Sequence, residues 1–109
     1  MKISDDMIWT WESVNKRGVA MSKQSYFQIR DIMLSILSRK KAATLDDVIE
    51  QISQRLGASF KGNLPWYILK VKTDLQARRV IHCETGIGPE RKQLIRKNGR
   101  KHTTFLDYL

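Results

Sequence analysis

The segment that most constrains the fold of this chain is residues 64–97. In its first part apolar residues recur at the spacing of an α-helix, and in its second part they alternate as in a β-strand. Four apolar residues open it at spacings of four, three and four: Leu64, Ile68, Val71 and Leu75. Residues at these spacings lie on one face of an α-helix. Pro65 is compatible with the first turn, where no N–H donor is needed. We therefore predict a helix over residues 64–78 that directs this face to the core.

The second half of this segment has the pattern of a β-hairpin. Residues 80–84 alternate in side-chain character, which is the period of a strand. Gly86, Gly88 and Pro89 interrupt the alternation, and it resumes among basic residues. Glycine and proline between two alternating segments are typical of a turn. We predict a hairpin that pairs residues 80–84 with residues 92–96.

Two further helices are predicted upstream. Each has apolar residues at helical spacing: Tyr26, Ile29, Met33, Ile36 and Leu37 in the first, and Leu45, Val48, Ile49, Ile52 and Leu56 in the second. Ser22 or Ser25 can cap the first helix and Thr44 the second, because a hydroxyl oxygen at the N-cap accepts an otherwise unpaired N–H. We predict helices over residues 23–38 and 45–56.

The N-terminal part predicts one short strand. Residues 8–15, IWTWESVN, alternate and are rich in β-branched and aromatic types, which favour a strand. Trp9 and Trp11 lie on one side of it. They are suited either to stacking with bases or to covering a core or a dimer contact, and paired tryptophans favour the structural role. Residues 16–18, KRG, predict a turn.

The length of 109 residues suits a single domain over residues 1–109. Residues 7–15 form its N-terminal strand or arm, and residues 98–109 form a C-terminal tail that is first basic and then apolar. We expect this tail either to dock on the domain or to pack on a second subunit, so a homodimer is one expected state.

Charge is distributed unevenly along the chain. The net charge is +9, and residues 61–109 carry eleven Lys or Arg against four Asp or Glu. A basic half of this kind favours an anionic partner, nucleic acid before an acidic membrane. No apolar run approaches the roughly 20 residues that span a bilayer, and the single cysteine, Cys83, suits a reducing compartment. We expect a cytoplasmic protein without a membrane partner.

Catalytic and metal-binding patterns have little support in the sequence. His82 and Cys83 are neighbours on a predicted strand, so their side chains point to opposite faces and do not form a nucleophile–base pair or share a metal. Gly86 and Gly88 lack the following helix that a phosphate-binding loop requires. We therefore expect a protein that is not an enzyme, with no catalytic residue, metal or cofactor.

Nucleic-acid binding has more support. The outward side of the third helix carries Lys70, Thr73 and Gln76, which can reach base edges or phosphates in a major groove. The basic run around the predicted hairpin suits contact with the backbone. The candidate nucleic-acid-binding residues are Lys70, Lys72, Thr73, Gln76, Arg91, Lys92, Arg96, Lys97, Arg100 and Lys101.

The same side of the helix also supports a different function. Trp66 and Leu69 are not typical of residues that read a groove, and Asp74 is expected near this side, where it would repel phosphate. The alternative hypothesis is a protein-interaction module that contacts its partner through Trp66 and Leu69 and does not bind DNA.

The predicted order of a short strand, three helices and a basic hairpin resembles the winged helix-turn-helix superfamily. More narrowly, WESVNKRG, SYFQIRDIML and the spacing of Trp66, Val71, Asp74, Leu75 and Ala77 resemble a family of small uncharacterised bacterial winged-helix proteins. The resemblance implies an α+β fold of the winged-helix type, with the hairpin as the wing. It also implies, by analogy, a transcriptional-regulator-like protein that binds double-stranded DNA with its third helix in the major groove.

Overall fold

The computed structural model describes residues 6–85 and 93–98, and this part of the chain forms an α+β fold of three helices and two small sheets. The elements in chain order are β1 Met7–Ser13, β2 Lys16–Ser22, α1 Lys23–Lys40, β3 Ala43–Thr44, α2 Leu45–Leu56, α3 Leu64–Ala77, β4 Ile81–Thr85 and β5 Gln93–Lys97. The candidate residues Arg91, Lys92, Arg100 and Lys101 lie outside the described residues, as does most of the predicted tail.

All three predicted helices are confirmed, and each begins at a polar cap. The Ser22 hydroxyl accepts the N–H of Ser25 at 3.0 Å, so Ser22 is the cap of α1 and Ser25 lies inside the helix. Thr44 caps α2 as predicted, with its hydroxyl 3.1 Å from the N–H of Asp47. The Asn63 side chain performs the same function for α3. Each cap satisfies a donor that the first turn leaves without a helical partner.

The predicted turn at residues 16–18 is wrong, because these residues begin a second strand. β1 and β2 pair as an antiparallel hairpin in which Ser13 lies opposite Lys16, so the turn falls at Val14 and Asn15. We call β1 and β2 with this turn the N-terminal hairpin. The sequence prediction failed because the basic residues that open β2 are exposed and give no alternation with a buried face.

A side chain takes the place of a backbone partner inside this hairpin. The ladder is irregular on either side of Trp11, and the Thr10 hydroxyl both accepts the N–H of Val19 at 2.9 Å and donates to its carbonyl at 3.0 Å. Gly18 leaves room for that hydroxyl, since a Cβ there would lie 2.7 Å from Thr10 Oγ1. The irregularity directs the Trp11 N–H to another partner, Asp74 in α3.

The second sheet has the strand order β3-β5-β4, and all its pairs are antiparallel. The predicted pairing of β4 with β5 is confirmed, with Ile81 opposite Lys97, and we call this pair the C-terminal hairpin. The two-residue strand β3 was not predicted, because two residues are too short for a periodic signal. It pairs Ala43 with Ile95 and Thr44 with Leu94.

The core lies between the three helices and the inner side of the second sheet. The apolar face predicted for the third helix is confirmed, with Ile68, Val71 and Leu75 fully buried and Leu64 6% exposed. Ile81 and Ile95 close the core from the C-terminal hairpin. Burying a side chain of this size contributes about 1.5–3 kcal/mol, so this face fixes how α3 is rotated about its axis.

Candidate nucleic-acid interface

The side of α3 that faces away from the core lies between the two hairpins. β1 is attached on one flank through the Trp11 N–H, which donates to Asp74 Oδ1 at 2.8 Å. The C-terminal hairpin is attached on the other flank, where Lys72 Nζ donates to Gln93 Oε1 at 3.1 Å. Lys72 and Asp74 are two residues apart and therefore about 200° apart around the helix. We call the residues left between these flanks the outer face of α3: Trp66, Leu69, Thr73 and Gln76.

The structure places Thr73 and Gln76 on this outer face as predicted, with Lys70 at its border. The Thr73 hydroxyl donates to the carbonyl of Leu69 at 2.9 Å, so its proton is engaged within the helix. Lys70 Nζ lies 5.5 Å from the centre of the Trp66 ring, a cation–π arrangement. Gln76 is exposed. The outer face therefore combines polar and apolar side chains.

Lys72 is not on the outer face. Its ammonium group lies on the flank of the C-terminal hairpin, hydrogen-bonded to Gln93. The structure therefore separates Lys72 from Lys70, Thr73 and Gln76, with which it was grouped as a candidate.

The described basic residues of the C-terminal hairpin are both engaged. Arg96 Nε lies 2.9 Å from Glu84 Oε1 on the opposite strand, and this hydrogen bond, together with the charge of Arg96, lowers the pKa of Glu84. His82 is on the same outer side of the hairpin, 3.8 Å from Glu84. Lys97 Nζ donates to Ser38 Oγ in α1 at 3.0 Å. The two cations therefore point in different directions, Arg96 to solvent and Lys97 towards α1.

The expectation that Asp74 lies near the outer face is wrong. Its side chain is fully buried, where it accepts hydrogen bonds from the Trp11 N–H, from the Tyr26 hydroxyl and from Arg78 Nε, the last at 2.9 Å from Oδ2. Arg78 is itself only 5% exposed. A buried carboxylate is stable only with such partners. Asp74 therefore joins β1, α1 and α3 instead of facing a ligand.

This cluster strongly perturbs Tyr26. Burial raises the pKa of its phenol well above the ordinary value of 10.0, and the neighbouring Asp74 carboxylate raises it further. The phenol is therefore a hydrogen-bond donor at all ordinary pH values. The sequence contained one signal of the cluster, since Asp74 and Arg78 are four residues apart on a helix, where opposite charges meet.

A groove of about 280 Å³ separates the tip of the N-terminal hairpin from α3. Three residues of the hairpin line one wall, and three of α3 line the other: Glu12, Ser13 and Val14, and Thr73, Gln76 and Ala77. The small side chain of Ala77 lets the hairpin approach the helix. The groove continues the outer face of α3 towards the hairpin tip, so the two surfaces are accessible from the same side.

Three large apolar residues of the described chain are exposed, and all of them are on this side. Trp66 and Leu69 are each 39% exposed on the outer face of α3, and Val14 is 63% exposed at the turn of the N-terminal hairpin. Trp66 and Leu69 are three residues apart on α3 and are therefore neighbours on its surface. Contiguous exposed apolar residues favour a contact site for a macromolecule.

Residues 6–85 and 93–98 contain neither a candidate metal site nor a candidate membrane-spanning helix. No three or more His, Cys, Asp or Glu side chains there are grouped so that they could hold a metal ion. In the same part of the chain, no helix has both the length and the apolar character to cross a membrane.

The fold and this surface define the class of the chain as a small α+β protein with an exposed helix between two hairpins. Comparison with protein families assigns the chain to one of them. The family described as a family of unknown function (DUF6958) matches residues 9–92. That match covers well over half of the chain, and the chain belongs to this family. No curated protein and no solved structure matches it.

Proposed function

We propose that the chain is a DNA-binding protein of the winged helix-turn-helix class, with α3 as the helix that enters the major groove and the C-terminal hairpin as the wing. The observation that carries the proposal is the connectivity. A helix, a two-residue strand, two helices and a hairpin follow one another, and β3 pairs with β5 to give the order β3-β5-β4. This is the arrangement by which winged-helix domains attach their wing to the helix-turn-helix.

The charge of the chain supports a polyanionic partner. The net charge is +9, and most of the excess lies in residues 61–109. Lysine and arginine at phosphates supply the part of the affinity that does not depend on sequence, and they steer association. In this proposal Arg96 and Lys97, with Arg91, Lys92, Arg100 and Lys101, contact the backbone, and the protein acts in the cytoplasm.

The outer face of α3 would then supply sequence preference. Gln76 is exposed and can make two hydrogen bonds to an adenine edge. Lys70 has a flexible stem and can leave the Trp66 ring for a guanine or a phosphate. A regulator of this type that formed a homodimer would present two copies of α3 to two half-sites.

A salt titration of DNA binding tests this proposal. Fluorescence anisotropy with a labelled mixed-sequence duplex should show binding whose log affinity falls linearly with log salt, by about 0.9 for each phosphate neutralised. Arg96→Ala should weaken binding on all sequences and flatten the slope by about one unit. Lys23→Ala, an exposed lysine at the start of α1, is the matched control. Undetectable binding at low salt with high micromolar protein would contradict the proposal.

Base reading by α3 needs a separate measurement. Gln76→Ala should change the ranking of a set of duplexes that differ at single positions, with about 1–3 kcal/mol lost at the preferred base. Lys23→Ala should leave that ranking unchanged. A ranking that Gln76→Ala does not change would place base reading elsewhere.

A second candidate function is a protein-interaction module. The exposure of Trp66 and Leu69 favours it. Trp66→Ala distinguishes the two candidates. In the DNA-binding protein it should alter binding of the duplex, whereas in an interaction module it should abolish assembly with a partner protein or a second copy, measured by sedimentation, in a chain that does not bind DNA.

A further inference from the structure

The N-terminal hairpin lies on the flank of α3 opposite to the C-terminal hairpin. An α-helix with its side chains is about 10–12 Å wide and fills a major groove of about 12 Å. Elements attached on both flanks of such a helix are then placed over the two sugar-phosphate walls of the groove. The C-terminal hairpin meets one wall in the proposed function, and the position of the N-terminal hairpin gives it access to the other.

The attachment of this hairpin to α3 is rigid. Asp74 holds the Trp11 N–H from inside the core, and the same carboxylate is held by Tyr26 and Arg78. Within the hairpin, the two hydrogen bonds of Thr10 with Val19 hold β2 on β1. An element held by buried contacts keeps its orientation when it meets a ligand and loses little entropy on binding.

The tip of the hairpin carries two exposed cations. Lys16 lies opposite Ser13 in the ladder. Ser13 lines the groove against α3, so Lys16 is in the part of the hairpin that borders this groove. Arg17 lies opposite Trp11, with its guanidinium 5.6 Å from the centre of the Trp9 ring. That ring supports the side chain while leaving it exposed.

We infer that the N-terminal hairpin is a second DNA-contacting element, whose Lys16 and Arg17 meet backbone phosphates on the wall of the major groove opposite to the wing. This inference rests on the proposed DNA binding and adds a surface to it. The tip that carries these two basic residues borders the groove that Thr73 and Gln76 of α3 line from the other side. Duplex DNA is the partner, since the geometry depends on the width of its major groove.

Glu12 provides a second test, in which the substitution should strengthen DNA binding instead of weakening it. Glu12 is exposed and lines the groove that the hairpin tip borders, so its negative charge acts on a phosphate bound at the tip. Removing a negative charge beside a bound phosphate strengthens binding, whereas removing a positive charge weakens it. Glu12→Gln should therefore tighten duplex binding, while Lys16→Ala and Arg17→Ala weaken it.

The experiment is a salt titration of the full chain on one mixed-sequence duplex by fluorescence anisotropy. Lys16→Ala with Arg17→Ala should flatten the slope of log affinity against log salt by about 1.8, and Glu12→Gln should tighten binding. Lys23→Ala is the control, because Lys23 follows the other end of β2, about 20 Å from the tip at 3.3 Å per residue. Lys16→Arg keeps the charge and should keep the slope. Circular dichroism and urea unfolding check that every variant is folded.

The outcomes separate this inference from the proposed function. A wild-type chain that binds the duplex, with a slope flattened by the tip variants and not by Lys23→Ala, supports the inference. A wild-type chain that binds with the same slope in all variants overturns the inference and leaves the proposed function standing. A wild-type chain that does not bind at low salt overturns both.

Discussion

The backbone N–H of Trp11 donates to the carboxylate of Asp74 at 2.8 Å, across 63 residues of sequence. One buried side chain thus holds the N-terminal hairpin against the helix whose outer face is proposed to read DNA. Besides the packing of Ile8, Val19 and Met21 on the core, this carboxylate links the hairpin to α3.

Asp74→Ala should destabilise the protein by about 3–5 kcal/mol, because it removes the carboxylate that pairs with the buried Arg78. The same carboxylate accepts hydrogen bonds from the Trp11 N–H and the Tyr26 hydroxyl. Urea unfolding measures the loss. Asp31→Ala is the control, since Asp31 pairs with Arg30 on the surface with 64% of its side chain exposed, and such a pair contributes about 0–1 kcal/mol. Similar losses in the two variants would be contrary to a structural role of the buried cluster.

The raised pKa of Tyr26 should make the free energy of unfolding decrease at alkaline pH. Burial and the Asp74 carboxylate raise its pKa in the folded protein, so below about pH 10 the phenol is protonated in both states. Above about pH 10 the unfolded chain releases this proton and the folded chain does not. The unfolded state then binds fewer protons, and stability decreases by about 1.4 kcal/mol per pH unit from this group.

Tyr26→Phe should remove that contribution. Urea unfolding of both proteins between about pH 9 and about pH 11 should show a shallower decline in the variant, although the variant is less stable near neutral pH. Tyr67→Phe is the control, because the Tyr67 ring packs on Phe60 and Trp66, away from Asp74. Parallel curves for wild type and Tyr26→Phe would count against the raised pKa.

Gly18→Ala should destabilise the N-terminal hairpin by about 1–3 kcal/mol through crowding. Its new Cβ would lie 2.7 Å from Thr10 Oγ1 and would displace the hydroxyl from Val19. The cost should shrink in a Thr10→Ala background, which has no hydroxyl to displace. A double-mutant cycle by urea unfolding should give a coupling of about 0.5–3 kcal/mol. Equal costs in the two backgrounds would show that the hydroxyl is not the cause.

Leu75→Ala should cost about 2–5 kcal/mol, the range for truncating a fully buried leucine. Leu69→Ala on the same helix is the matched control. Leu69 is 39% exposed on the outer face, so its truncation should cost less than about 1 kcal/mol. The reverse order in urea unfolding would mean that the two faces of α3 are exchanged.

Arg79→Gly should stabilise the protein by roughly 0.5–1 kcal/mol, because Arg79 has a positive φ of 63° that favours glycine. This residue follows the C-cap Arg78 of α3, with its N–H bonded to the Gln76 carbonyl and the next N–H bonded to the Leu75 carbonyl. Arg79→Ala removes the same charge but keeps a Cβ, so it should give no gain in thermal unfolding. Equal effects of the two substitutions would assign the change to charge.

The helices could be predicted from the sequence because each buries a stripe with a clear period. The geometry of an α-helix alone predicts that the buried face of α3 carries Leu64, Ile68, Val71 and Leu75. The C-terminal hairpin was predictable for a similar reason, since its buried residues Ile81 and Ile95 lie in two alternating segments of sequence that Gly86, Gly88 and Pro89 separate. In these elements local spacing and tertiary burial agree.

The parts that could not be predicted depend on contacts distant in sequence. β2 opens with exposed basic residues, and its ladder with β1 is irregular, so alternation did not reveal it. Asp74 lies at the edge of the apolar face, where a helical wheel alone does not decide between core and solvent. Its partners Trp11 and Tyr26 are 63 and 48 residues away. For Lys72, the hydrogen bond to Gln93 depends on how the hairpin packs.

The two-residue strand β3 fixes the register of β5 in the C-terminal hairpin. Thr44 pairs with Leu94 in β5 and also caps α2 with its hydroxyl. A slip of β5 by one residue would turn Ile95 out of the core and exchange the residues on its two sides. Such a slip would also pull on the first turn of α2. Force applied along the C-terminal hairpin is therefore transmitted through Thr44 to the first turn of α2.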